Sequence, residues 1–183
     1  MTNETVDPLN QFLLENLKAT QLLYDNELTG QMLVLLYASI EAMGLMRAPL
    51  SVTSATGETF KDWVRTHLLP KGSFHFNDVD LWGARCGVLH TFTSDSDLAR
   101  KGKARQIQYV SGPRDNPFTK AFFAATLEID GGIHVPASVE EIYLAYLEAI
   151  ESFQEEMTRL CAADPNYTKR LRQVLNQHPL GPR

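Results

Sequence analysis

An arginine and a histidine five positions apart, Arg85 and His90 in the run DLWGARCGVLHTF, carry the most chemistry in this 183-residue chain. A guanidinium grips a phosphate through two parallel hydrogen bonds, and an imidazole that titrates near neutrality removes or supplies a proton. Together they are the minimum equipment for driving an RNA 2′-hydroxyl onto the adjacent phosphorus, a reaction that requires no metal. On a helix the two lie about 140° apart around the axis and about 7.5 Å along it, so they do not stack as an i,i+4 pair does. The long arginine stem can reach around, and in a two-fold dimer both pairs come to one cleft. Glu41, the acidic residue inside MLVLLYASIEAMGLM, also needs an explanation. It lies on the one wetted side of its helix or it pairs with a buried cation.

The glycines beside Arg85 need an explanation of their own. Gly83 and Gly87 each cost about 1 kcal/mol relative to alanine inside a helix, so a close approach should offset that loss. With Cys86 they form a small face that lets another helix, from the same chain or from a second copy, come near, and His90 stands at its edge. Cys86 reads as a small packed hydrophobe on that face.

The run Arg85, Cys86, Gly87, Val88, Leu89, His90, placed late in a helical chain, resembles the arginine, four-residue spacer, histidine motif of the HEPN superfamily. That resemblance implies an all-α, HEPN-like bundle that forms a homodimer. It also implies a metal-independent endoribonuclease of the kind found in toxin-antitoxin, defence and RNA-processing systems, with an antitoxin or other protein as a partner. By the same resemblance Arg85 would hold the scissile phosphate, His90 would act as acid-base and the product would be a 2′,3′-cyclic phosphate. Glu41 would orient one of the two. The family's nucleases usually carry a polar residue just after the arginine, where this chain has Cys86. The departure points to an alternative on the same scaffold, a catalytically silent module that binds a nucleotide, RNA or another protein.

The elements that must position these residues follow from pattern. Asp7 and Pro8 are a cap and first-turn signal for a helix over residues 9–28. A second helix, from near Thr29 to near Pro49, is apolar nearly all round and is expected at the centre of the bundle. Helical spacing resumes from Glu58 to Leu69 and stops at Pro70. Asn77 caps a third long helix from Val79 to about Phe92, with Asp78 and Asp80 in its first turn. IQYV and GGIHVP suit two short strands, pairing as a small β-ribbon, and between them residues 116–127 suit a short helix with Phe118, Phe122 and Phe123 facing inward. Ser138 and Glu141 form a capping box for a helix reaching Cys161, and a last helix spans about residues 166–176. The reading is one domain over 1–183, a bundle of four to five helices, with a flexible tail at about 177–183.

Composition bounds the rest. The formal charge of -5, from 22 acidic and 17 basic side chains, excludes a surface that is everywhere a nucleic-acid footprint. Local patches remain: Arg100, Lys101, Lys103 and Arg105, with Tyr109 close by, as a candidate RNA-binding cluster, and Lys169, Arg170 and Arg172 as a second. Cys86 and Cys161 are too few for a disulfide scaffold. His67, His75, His134 and His178 have no carboxylate or cysteine at ligand spacing, so no metal site and no cofactor is expected. Neither a leader nor a membrane-spanning run stands out, and a soluble cytoplasmic protein is the expectation.

Overall fold

The computed structural model describes residues 7–175; the expected flexible tail at about 177–183 lies outside them. Helix α1 (Pro8–Asp25) starts where the Asp7 side chain accepts from the Leu9 amide, and α2 (Thr29–Arg47) returns along it. Met32, Leu36, Tyr37, Ile40, Met43 and Met46 of α2 are fully buried, because α1, α3, α4, α7 and α8 pack around the helix and leave only a narrow side, with Gln31 and Ala38, exposed. Its length and apolarity also match those of a membrane-crossing helix, as expected of any helix that is a bundle's core.

The predicted helix from Glu58 to Leu69 is three pieces. Helix α3 (Gly57–Trp63) is capped by Thr56, widens into a π-helical turn over Val64–Leu68 and tightens into a 3-10 turn at Leu69–Lys71. Helix α4 (Asp78–Thr91) begins in a reciprocal cap: Asn77 Oδ1 accepts from the Val79 and Asp80 amides, and Asp80 Oδ2 accepts from the Asn77 amide. A short α5 (Asp97–Arg100) follows.

Strands β1 (Gln106–Val110) and β2 (His134–Ser138) pair in parallel, with Ile107 opposite Val135. The predicted ribbon is therefore a crossover unit and not a hairpin. Parallel strands need a long connection, and α6 (Pro117–Glu128) supplies it. On α6 the inward face is Thr119, Phe123 and Thr126, at i, i+4 and i+7. Phe118, expected inward, is 69% exposed, because it lies one residue off that face in the first turn.

Helix α7 (Val139–Ala163) is the longest element, and α8 (Pro165–Val174) closes the chain. Ser138 Oγ accepts from the Glu141 amide as expected, but the Glu141 carboxylate faces Arg114 at 3.5 Å instead of completing the box. Eight α-helices thus stand among the described residues, against an expectation of four to five. Five of them reach 12 residues or more; α3, α5 and α8 account for the excess. One core, running from Leu9 through Met157 to Leu171, joins them as a mostly helical domain with a small two-stranded sheet.

Candidate functional site

Arg85 projects from the middle of α4 toward α2, where its Nη2 donates to Glu41 Oε2. The guanidinium carbon lies 4.9 Å from the centre of the Trp82 ring, one turn earlier on α4, and Trp82 itself packs on Phe60 of the core at 5.3 Å. Ion pairing and stacking over an aromatic face hold Arg85 in one place, and its side chain is 15% exposed. Its Nε is buried without a hydrogen-bond partner among the described residues. Of the two explanations open for Glu41, pairing with a largely buried cation is the one observed.

His90 is treated differently by the fold. It stands in the last turn of α4, exposed, where a basic group suits the free carbonyls of the helix end. No hydrogen bond or ion pair to His90 forms among the described residues, and it shares no partner with Arg85. The structure therefore brings Glu41 and Arg85 together and leaves His90 apart from them. Between them, burial pushes the Cys86 thiol up, and the Arg85 guanidinium offsets only part of that effect. Burial therefore disfavours the thiolate form of Cys86.

The small face of α4 is filled from within the chain. A Cβ on Gly83 would meet the Ala104 side chain at 2.9 Å, and one on Gly87 would meet the Thr93 carbonyl oxygen at 2.4 Å. The segment from Thr93 to Ala104 crosses the helix there, so the close approach is made by a loop and α5 in place of a second long helix or a second copy.

That loop carries the candidate RNA-binding cluster, and most of its charge is already neutralised. Arg105 is held by Asp80, whose carboxylate accepts from the Arg105 amide at 2.7 Å, from Nε at 3.1 Å and from Nη2 at 2.6 Å. The Asp80 side chain is only 3% exposed, so the pair fixes the entry of β1 to the start of α4, while the Arg105 side chain itself stays 40% exposed with its charge offset by that carboxylate. Arg100 pairs with Asp95 at 2.8 Å and with Asp97, and Lys101 reaches Asp97 at 4.0 Å. Lys103 is exposed and has no ion-pair partner among the described residues. The second cluster divides in the same way. Arg170 is buried and donates to the carbonyls of Leu45, Ala48, Pro49, Leu50 and Val52, closing the end of α2, while Lys169 and Arg172 remain exposed.

Sequence reasoning missed one polar centre. His67, in the π-helical turn, places Nε2 2.8 Å from Glu156 Oε2 and Nδ1 2.9 Å from Ser152 Oγ. Arg47 holds the same Glu156 carboxylate with Nε at 2.7 Å and Nη2 at 3.0 Å, and its Nη1 also reaches Asp62. Burial alone would raise the Glu156 carboxyl, but the hydrogen bonds from His67 and Arg47 overcome it and hold it at about 2. The partners lie 89 and 109 positions from Glu156, so no local spacing could have announced them. The wider π turn, which moves His67 toward α7, was equally silent in sequence. Ser152 donates to the Ala149 carbonyl at 3.0 Å and Glu156 is held by both His67 and Arg47, so the centre reads as a brace between α2, the π-helical turn after α3 and α7.

A comparison of the chain with protein-family models, with curated proteins and with solved structures finds no match in any of the three.

Proposed function

We propose that this chain is a catalytically silent interaction module on a HEPN-like helical scaffold. The observation that carries the reading is the Arg85–Glu41 pair stacked on Trp82: the one guanidinium placed to grip a phosphate is already held by a carboxylate and an aromatic face. Replacing that carboxylate by a phosphate would leave Glu41 unpaired against the same helix, and a largely buried charge without its partner is costly. The neutralised cluster at Arg100 and Arg105 supports the reading, since it offers an RNA backbone little free positive charge.

A second reading, the metal-independent endoribonuclease, is favoured by the solvent-facing His90. In it His90 supplies and removes the proton, Arg85 turns its remaining donors to the phosphate, and Glu41 orients the guanidinium. One experiment separates the two. A mixed pool of structured and single-stranded labelled RNAs is incubated in excess chelator with the intact protein, His90→Ala, Arg85→Ala and Glu41→Gln. The interaction module leaves the RNA uncut in every case. Cleavage with cyclic-phosphate ends that disappears in both His90→Ala and Arg85→Ala sinks the silent reading and establishes the nuclease.

A further inference from the structure

Helices α1 and α7 run antiparallel and are pinned together at two points. Gln154 Nε2 donates to Asn10 Oδ1 at 2.7 Å, and the Tyr143 hydroxyl donates to Gln21 Oε1 at 2.8 Å, where the Tyr143 ring also stacks on Tyr24. Asn10 and Gln21 are eleven residues apart, as are Tyr143 and Gln154. Both pins therefore bracket about 16 Å of helix, or three turns. Between them lies an open groove of about 640 Å³ whose floor is Leu13, Leu17, Leu147 and Ile150.

Its edges are apolar first and acidic beyond. Leu14 on the α1 edge of the groove is 55% exposed, and Glu151 on its α7 edge is exposed as well. Leu144, Glu148, Glu151 and Glu155 follow at i, i+4, i+7 and i+11, so they form one solvent-facing stripe along α7. The three glutamates are exposed and have no ion-pair partner among the described residues. On α1 the nearby charges are Glu15 and Lys18, which cancel.

We infer that this groove docks a basic amphipathic helix of about three turns from a protein partner. Apolar residues at i, i+4 and i+7 of such a helix fill the leucine floor, and lysines or arginines on its flank meet the glutamate stripe. Charge decides against the other occupants: a second copy of this chain would set the same acidic stripe against itself, and an anionic bilayer would be repelled. The inference rests on the interaction-module reading for its setting, but its residues lie away from Arg85 and His90. RNA cleavage and groove binding therefore fail or succeed separately.

The test uses fluorescent 16-residue peptides, one with leucines at i, i+4, i+7 and i+11 flanked by lysines, and one of the same composition in scrambled order, titrated with the full chain and read by anisotropy. The amphipathic peptide should bind at one site and at least about tenfold more tightly than the scramble, and gain helical circular dichroism on binding. Leu14→Glu should weaken it by about tenfold, and the triple replacement Glu148→Lys, Glu151→Lys, Glu155→Lys should weaken it at least as much and flatten its salt dependence. These four positions are exposed, so the variants keep the fold, which far-ultraviolet circular dichroism checks. Equal binding of both peptides, binding untouched by the substitutions, no binding, or binding only to zwitterionic lipid vesicles would each overturn the proposal.

Discussion

Arg85 on α4 and Glu41 on α2, 44 positions apart in the chain, form one ion pair in the folded protein. The pair fastens the motif-bearing helix to the central helix and shields most of the arginine from solvent. A double-mutant cycle measures how much this matters. Arg85→Ala alone leaves Glu41 with no partner and Glu41→Ala alone strands the guanidinium, so each should lower unfolding free energy by about 2–3 kcal/mol. The double variant should cost less than the two together, with a coupling of about 1–2 kcal/mol in urea denaturation. Additive losses would mean the contact contributes nothing beyond two separate truncations.

Gly87 gives a prediction of opposite sign to helix propensity. Alanine favours the helix interior by about 1 kcal/mol, yet its Cβ would lie 2.4 Å from the Thr93 carbonyl oxygen, a backbone atom that withdraws only if the loop shifts with it. Gly87→Ala should therefore destabilise the protein by about 1–3 kcal/mol and displace the loop that carries Arg100 and Arg105. A rise in melting temperature would show that the loop does not press on α4.

The brace at Glu156 predicts an acid-sensitive fold. Its carboxyl is held at about 2 against an ordinary value of 4.5, so the folded form binds this proton less readily than the unfolded form does. The stabilisation is complete above about 4.5 and is lost as pH falls through about 2. Glu156→Gln should remove that part of the acid limb, lower stability near neutrality by about 3 kcal/mol and leave the remaining pH dependence in place. Unfolding midpoints measured between pH 2 and 7 for both forms settle it; parallel curves would assign the acid limb to other carboxylates.

The sequence by itself determined the helices and their caps. Asp7 with Pro8, Asn77 with Asp80, and Ser138 each start a helix where expected, because a cap is a bond between residues two or three apart and is written in the local sequence. It also announced α2 as the central helix, since a helix that is apolar nearly all round needs neighbours over most of its surface. The Glu41, Arg85 and His90 set was legible as chemistry, and the need of Glu41 for a partner was legible with it. Tertiary structure alone decided the pairings. It gave Arg85 to Glu41, Arg105 to Asp80, Arg170 to the carbonyls closing α2, and His67 to Glu156. It turned the ribbon into a parallel crossover and filled the glycine face with the chain's own loop. The pairings join residues 25 to 125 positions apart, and a charge selects its partner by which surfaces the packed helices bring into hydrogen-bonding reach, a proximity that no periodicity in the chain encodes.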